Sequence, residues 1–231
     1  MALPEARVQA QRWRRRKEAR PSEILDAALD CFAEHGFAAT RLDDVAHRAG
    51  ITKGTLYLYF PNKEELFKAV VAQALVPNLE RGEALLSEAN KRVAEPPSAA
   101  ALLAQLMHGW AELARLPAGA IPKIVVSEAG NFPDLARFYR EQVVDRGMSL
   151  LSRVLQFGIG RGEFRAVELD DTVRCIFAPL LLAMLWRHSL GRHEPTGFDP
   201  DSLCETHLQL LLNGLKVRRP VADRGIEKDA T

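Results

Sequence analysis

The most constraining feature of the sequence is a pair of short helical patterns on either side of a glycine, within residues 40–63 (TRLDDVAHRAGITKGTLYLYFPNK). Thr40 is a favourable N-cap for a first helix over residues 41–49, whose apolar residues recur at helical spacing. Gly50 can adopt the left-handed conformation that ends a helix without a steric penalty. The chain is therefore predicted to turn sharply at Gly50.

A second helix is predicted directly after this turn, over residues 53–59. Thr52 supplies its N-cap. Leu56 is spaced to meet Ile51 and Val45 inside the angle between the two helices. Two helices joined in this way form a helix-turn-helix, in which the N-terminal residues of the second helix face base edges in the major groove of DNA.

Gly54 lies inside the second predicted helix, where a glycine costs about 1 kcal/mol relative to Ala. A purely structural helix would avoid that cost, so we predict that DNA approaches the Gly54 backbone closely. Hydroxyl, ammonium and phenol groups around this glycine are suited to contact bases and phosphates. The residues predicted to bind DNA in this way are Thr52, Lys53, Gly54, Thr55, Tyr57, Tyr59 and Lys63. The alternative is a structural helix whose tyrosines only pack.

The same segment resembles the DNA-binding signature of the tetracycline repressor (TetR/AcrR) family of bacterial regulators, T-x-x-x-I-A-x-x-A-G-V-S-x-G-T-L-Y-x-Y-F-x-S-K-E-x-L. The matching residues are Thr40, Val45, Ala46, Ala49, Gly50, Gly54, Thr55, Leu56, Tyr57, Tyr59, Phe60, Lys63, Glu64 and Leu66. Arg41 stands where Thr or Ser is common, and its charge lies near the expected phosphate backbone. The resemblance therefore adds Thr40 and Arg41 to the predicted DNA-binding residues.

The helical patterns and the resemblance together predict the fold class. We expect an all-α protein, with an N-terminal three-helix helix-turn-helix DNA-binding domain plus a larger C-terminal helical ligand-binding and dimerisation domain, about nine helices. The predicted divisions are a basic N-terminal arm at 1–20, the DNA-binding domain at 21–68, the effector-binding and dimerisation domain at 69–216, and a flexible tail at 217–231.

Capping and breaking residues predict where individual helices begin and end. Ser22 is expected to begin the first helix and Gly36 to end it. Asn62 and Glu65 form a capping-box-like start for a fourth helix, which Pro77 is expected to kink or interrupt.

Two later helices, at residues 171–190 and 200–215, have wide apolar faces. The run CIFAPLLLAMLW within the first of them is too short to span a bilayer, so protein must cover it and we predict no membrane association. In the family the corresponding helices form a four-helix dimer interface. The resemblance thus implies a homodimer through these two helices. Such a dimer would present two DNA-binding domains to a palindromic operator.

The resemblance also implies a cavity for a small-molecule effector, predicted to be apolar or amphipathic, whose binding opposes DNA binding by linkage. Candidate lining residues on the helices expected to surround it are Met107, Trp110, Phe138, Tyr139, Phe177 and Met184. Glu128 and His108 are candidates for contact with a polar group of the ligand. For each residue the alternative is an ordinary structural role.

The net charge of +1 conceals a basic N-terminal arm. Its basic residues are Arg12, Arg14, Arg15, Arg16, Lys17 and Arg20, with Glu18 opposing them. Such an arm can track phosphates or enter a minor groove, and the alternative is a solvated leader. No apolar run that resembles a secretory signal follows the arginines, so we predict a cytoplasmic protein.

The chain has three cysteines, Cys31, Cys175 and Cys204, each among apolar residues, which predicts buried free thiols rather than disulfides. Cys204 and His207 have helical spacing, but no cluster completes a metal site, so we predict no metal and no cofactor. With 47% hydrophobic residues the chain can bury a large core.

Because no catalytic motif is apparent, we predict a non-enzymatic regulator. The function that fits best is a homodimeric repressor that an effector releases from its operator. The competing interpretations are a ligand-independent DNA-organising protein and, less in keeping with the motifs, a helical enzyme.

Overall fold

The computed structural model of the chain describes residues 4–92, 95–195 and 197–217, and for residues 4–20 it describes the backbone alone. Within these residues the chain is all-α, as predicted, apart from an isolated β-bridge between Phe164 and Lys216. The α-helices, in chain order, are α1 (Pro4–Ala39), α2 (Leu42–Arg48), α3 (Lys53–Tyr59), α4 (Lys63–Lys91), α5 (Ala99–Arg115), α6 (Ile121–Glu128), α7 (Pro133–Tyr139), α8 (Asp145–Gly160), α9 (Leu169–Arg187) and α10 (Pro200–Leu215). The side chains of the predicted basic arm and the predicted tail from residue 218 onward lie outside the described part.

A π-helical turn at Arg140–Val144 joins α7 to α8, so that these two helices form one continuous segment. Short 3-10 turns at Pro117–Ala120 and Leu190–His193 precede α6 and follow α9. Across residues 4–92, 95–195 and 197–217, no helix is long and apolar enough to cross a membrane.

The first and fourth helices differ from their predicted limits. The first helix begins at Pro4 and runs through Pro21, and it leaves helical conformation at Gly36 (φ 80°), where we predicted its end. The predicted interruption of the fourth helix is wrong, because α4 continues through Pro77. A proline removes one backbone hydrogen bond, and burial of the side chains on either side stabilises the helix there.

An aromatic cluster holds the N-terminal helices together. Phe32 and Phe37 of α1 pack against Phe67 of α4, with ring centroids 5.0 and 5.4 Å from Phe67. Phe132, from the turn before α7, packs edge-on against Phe37 at 4.7 Å. The hydrophobic core of the first three helices is therefore continuous with α6 and α7.

A second core fills the space between the C-terminal half of α4 and helices α5, α8, α9 and α10. Gly158 of α8 lets this core close tightly, because a Cβ there would lie 2.7 Å from the Ala99 Cβ and would overlap the Phe164 ring. Trp110 of α5 packs against both cores.

One of the cysteine predictions needs correction. Cys31 and Cys204 are buried free thiols, as predicted, and burial raises the pKa of Cys204 to about 11. Cys175 is exposed because it lies on the outward face of α9.

Candidate functional site

The turn between α2 and α3 has the geometry that its sequence predicts. Gly50 has a φ of 66°, and the Ile51 amide donates to the Ala46 carbonyl at 3.0 Å, which closes the end of α2. Val45 and Leu56 are fully buried in the angle between the two helices. Local hydrogen bonds and apolar contacts thus fix the orientation of α3 on α2.

The second helix begins at its predicted cap. The Thr52 hydroxyl accepts a hydrogen bond from the Thr55 amide at 3.2 Å, and the two threonine hydroxyls lie 2.9 Å apart. Both hydroxyls stand at the N-terminus of α3, where a nucleic acid would meet free backbone amides and a favourable helix dipole.

Gly54 is exposed on α3, and the fold does not require a glycine there. Its φ lies outside the left-handed region, and a Cβ at this position would have one neighbour outside the helix backbone, the Thr52 hydroxyl oxygen at 3.9 Å. Within the described residues, then, no packing contact accounts for the missing side chain. This is the expected geometry if the constraint comes from a bound partner.

The exposed face of α3 combines charge with apolar surface. The Lys53 ammonium lies 2.9 Å from Asp43 of α2, and this hydrogen bond raises the pKa of Lys53. Tyr57 and Leu58 are both exposed, and Leu58 shows 85% of its surface to solvent. An exposed leucine here is suited to contact a thymine methyl group in the major groove.

Leu58 is not among the residues that the sequence predicts to bind DNA. The available signal was its spacing, because Leu58 follows Gly54 by four residues and therefore shares its helix face. Arg41 is exposed at the start of α2, whereas Tyr59 is half-buried and packs against the core.

Two residues predicted to bind DNA, Thr40 and Lys63, have hydrogen-bond partners within the protein. Thr40 is 3% exposed, and its hydroxyl lies 2.6 Å from the Gly36 carbonyl oxygen and 3.1 Å from that of Cys31. Thr40 therefore caps the end of α1, and Arg41 occupies the N-cap position of α2.

Lys63 closes the same junction from α4. Its ammonium donates to the Ala38 and Thr40 carbonyls at 2.8 and 3.2 Å and lies 4.8 Å from the centre of the Phe37 ring. Burial lowers the pKa of Lys63. Both groups hold α1 against α2 and α4, and their contacts with DNA stay predictions.

The larger part of the chain contains an apolar cavity between α4, α5, α6, α7 and α9. Its volume is about 30 Å³, roughly the space of one water molecule. The wall consists of Leu75, Asn78, Leu79, Trp110, Leu113, Pro122, Tyr139, Val143, Phe177, Leu181 and Met184. Trp110 and Phe177 meet edge-on with their centroids 5.2 Å apart.

This cavity brings together four of the six predicted lining residues, and it omits the other two and both candidates for a polar contact. Trp110, Tyr139, Phe177 and Met184 lie in its wall. The residues that lie elsewhere are Met107 and Phe138, together with the polar candidates Glu128 and His108.

Contacts between helices explain why Met107, Phe138 and Glu128 lie outside the cavity wall. Met107 is fully buried in the second core. Phe138 faces Lys68, whose ammonium lies 5.9 Å from the ring centre. Glu128 accepts a hydrogen bond from the Ala38 amide at 3.2 Å, which ties the end of α6 to the end of α1. None of the three lines this cavity, and their contact with an effector stays a prediction.

An open polar groove of about 580 Å³ lies beside the cavity, between α4, α5 and α10. Asn78 and Trp110 belong to the walls of both spaces. His108 lies in the groove, where its ring nitrogen is 3.4 Å from Glu205, so it lies outside the cavity wall.

Two parts of the chain match known protein families. Residues 24–70 match the bacterial regulatory proteins of the tetR family, and residues 97–197 match the tetracyclin repressor-like C-terminal domain. The uncharacterized HTH-type transcriptional regulator YfiR of Bacillus subtilis (strain 168) is 30% identical over 161 residues, which cover 70% of this chain and 76% of YfiR. This chain belongs to the tetR family.

Solved structures agree with this tetR-family assignment. The transcriptional regulator FadR from Bacillus subtilis in complex with stearoyl-CoA has a TM-score of 0.60 and 21% identity, with 84% of this chain and 98% of FadR covered. The ketosteroid transcriptional regulator KstR2 of Mycobacterium tuberculosis has a TM-score of 0.63 and 26% identity, with 86% and 96% covered. As a tetR-family protein, the chain is a DNA-binding transcriptional regulator, and its relatives are regulators rather than enzymes.

Proposed function

We propose that this tetR-family regulator is a homodimeric repressor that a small apolar or amphipathic effector releases from a palindromic operator. The observation that carries the proposal is that α4 and α6, which line the apolar cavity, also contact α1 of the proposed DNA-binding domain. We propose 21–68 as the DNA-binding domain and 69–216 as the effector-binding domain. A regulator of this kind would act in the cytoplasm, where it meets the chromosome.

Helix α6 and the turn after it connect the cavity to the DNA-binding helices. Pro122 at the start of α6 lies in the cavity wall, and Glu128 at its end accepts the hydrogen bond from Ala38. Phe132 then packs on Phe37 of α1. Displacement of α6 by a ligand would therefore strain contacts at the end of α1, next to the first residues of α2.

The small size of the cavity indicates which form of the protein an effector would bind better. A space of about 30 Å³ is far below the roughly 300 Å³ or more of typical ligand pockets. An effector must consequently bind an expanded form better than the closed form, and such differential binding is what shifts a conformational equilibrium. We propose that the expanded form orients α3 poorly for DNA.

The proposed dimer rests on exposed apolar side chains of the last two helices. Leu182 of α9 is 50% exposed and Leu210 of α10 is 68% exposed. Cys175 and Ala178 precede Leu182 on the same outward face of α9. A second copy could cover this surface through an isologous contact, which would place two α3 helices for two half-sites.

The family relatives support an effector with substantial apolar surface. FadR is a complex with stearoyl-CoA, and KstR2 is described as a ketosteroid regulator. The acyl chain and the steroid skeleton are both apolar, and the cavity wall of this chain is mostly apolar as well.

The closed cavity also favours a second candidate, a ligand-independent DNA-binding protein whose C-terminal core serves only dimerisation. The two candidates differ in one measurable respect. The repressor's operator complex dissociates when an effector is added, whereas the complex of the ligand-independent protein persists with every compound.

Selection of bound fragments from genomic DNA by the purified protein, followed by a compound screen for release, tests the proposal. Lys53→Ala and Tyr57→Phe should each weaken binding to the selected sequence by about tenfold. Lys91→Ala is a matched control, because Lys91 also pairs with a neighbouring carboxylate at 2.9 Å but lies at the far end of α4. Equal affinity for selected and scrambled DNA would contradict an operator-specific function.

The dimer has its own test in sedimentation experiments. Leu210→Glu should yield monomers, while Leu116→Glu, at an exposed leucine outside α9 and α10, should leave the dimer intact. A wild-type protein that sediments as a monomer at micromolar concentration would refute the proposed dimer.

A further inference from the structure

The apolar cavity contains a polar group without a hydrogen-bond partner. Tyr139 is 8% exposed and lies in the cavity wall, and within residues 4–92, 95–195 and 197–217 its phenol makes no hydrogen bond. Every fully enclosed polar side-chain atom of these residues does have a partner. The Tyr139 hydroxyl therefore keeps some accessible surface, and the Tyr139 side chain is part of the cavity wall.

Asn78 contributes a second polar group to the same wall. Its side-chain amide also has no hydrogen-bond partner among the described residues, and it lies against the backbone of Gly109, where a Cβ would be 3.1 Å from the amide oxygen. The glycine thus leaves room for the amide at the boundary between cavity and groove. An amide and a phenol together can donate and accept hydrogen bonds.

Charged side chains are absent from the described wall of the cavity. A ligand carboxylate or ammonium enclosed there would have no partner of opposite charge, and burial of an unpaired charge is far more costly than burial of a neutral hydrogen-bonding group. Burial also raises the pKa of Tyr139 above its ordinary value, so the phenol stays neutral and able to donate.

A π turn lies in the same wall of the cavity. Tyr139 and Val143 lie at the start and within the π turn of the α7–α8 segment, and both line the cavity. Such turns are rare, and they occur frequently at functional sites.

We infer that the effector is an uncharged, largely apolar molecule with one hydrogen-bonding group, such as a carbonyl or hydroxyl, and that Tyr139 and Asn78 bind that group. This inference rests on the proposed effector function and specifies its ligand class. The apolar remainder of the molecule would displace Trp110, Phe177 and Met184 as the cavity expands.

A series of probes that share one ring system tests the ligand class. Naphthalene, naphthol, acetonaphthone, naphthoate and naphthylmethylammonium would be titrated into the full chain by calorimetry, without DNA. We expect naphthol and acetonaphthone to bind about two- to tenfold more tightly than naphthalene, as one or two neutral hydrogen bonds allow. The two charged probes should not bind measurably.

Substitutions then assign the preference to the two polar residues. Tyr139→Phe and Asn78→Leu should each reduce the advantage of the neutral polar probes over naphthalene, with thermal melting as a check on folding. Met184→Leu is the control, because it alters an apolar part of the wall and should change the affinity of all neutral probes together. A preference that survives both Tyr139→Phe and Asn78→Leu would overturn the inference.

Operator release is measured separately, so that the two proposals can fail independently. If naphthol and acetonaphthone bind with the expected preference but do not release the operator, the ligand class stands and the effector function fails. If naphthoate or naphthylmethylammonium binds preferentially, or if no probe binds up to its solubility limit, the ligand class is wrong. A cavity that holds only a structural water would give this last result.

Discussion

The α2–α3 segment and the apolar cavity differ in how far along the chain their components lie. The backbone hydrogen bonds at the turn between α2 and α3, and the Lys53–Asp43 pair across it, join residues within about a dozen positions of each other. The cavity wall, by contrast, draws on helices from Leu75 to Met184. A surface built locally can be predicted from its sequence, whereas a cavity between helices depends on how distant helices pack.

Two glycines in helices, Gly54 and Gly158, show the same difference between a surface and a packed core. Gly54 is surrounded by open space, so the protein itself would accept a larger residue. Gly158 is surrounded by Phe164 and Ala99, so the core would not. The first glycine is thus expected to matter for DNA binding and the second for folding.

The largest expected effect is that of Gly54→Leu on operator binding. Leucine is the better helix former by about 0.8 kcal/mol, so the melting temperature should stay the same or rise. The added side chain occupies the space that DNA needs, and operator affinity should fall about a hundredfold or more, as measured by fluorescence anisotropy. Gly160→Leu, at an exposed glycine with open space at the end of α8, is the control. Retention of operator affinity by Gly54→Leu would remove the argument for close approach.

Gly158→Ala should give the opposite pattern. The new Cβ would overlap Phe164 and Ala99, and overpacking of this kind costs about 1–3 kcal/mol. Chemical denaturation should show that loss in the free energy of unfolding, while the folded fraction should bind the operator normally. Operator affinity that falls although folding is unchanged would mean that the two regions are coupled through α8.

Thr40→Val tests whether Thr40, a residue of the family signature, has a structural role or a DNA-binding role. Loss of the hydroxyl leaves the Gly36 and Cys31 carbonyls without their partner, so the free energy of unfolding should fall by about 1–2 kcal/mol. Thr40→Ser retains the hydroxyl and should recover most of this stability. If Thr40→Val lowered operator affinity and left the free energy of unfolding unchanged, Thr40 would act at the DNA interface.

Asp43→Asn should have the smallest effect. The exposed Asp43 carboxylate competes with phosphates for the Lys53 ammonium, so its removal should strengthen operator binding about two- to fivefold at low salt. The gain should shrink as the salt concentration rises. Weaker binding of Asp43→Asn would show instead that the carboxylate positions Lys53 for DNA.

Local signals were sufficient to predict the helix-turn-helix. The left-handed Gly50, the Thr52 cap and the limits of α3 each depend on neighbours within a few residues, and each is as predicted. The burial of Thr40 could not be predicted from such local signals, because its hydrogen-bond partners belong to α1 and depend on how α1 packs.

The direction in which each side chain of the C-terminal helices points could not be predicted in the same way. Met107 and Trp110 share a helix and lie three residues apart, yet one belongs to the second core and the other to the cavity wall. Phe138 and Tyr139 are adjacent, and the π turn that follows them has no clear sequence signature. These differences arise from the crossing of α5 and α7 with their neighbours, which composition and spacing do not determine.

The small volume of the cavity affects the effector concentration at which the proposed repressor would respond. When the binding-competent form is a small fraction of the population, the apparent dissociation constant equals the intrinsic one divided by that fraction. Any substitution that loosens the packing around Trp110 would then lower the effector concentration needed for a response, and any substitution that tightens it would raise that concentration. Sensitivity could therefore change through residues that never touch the effector.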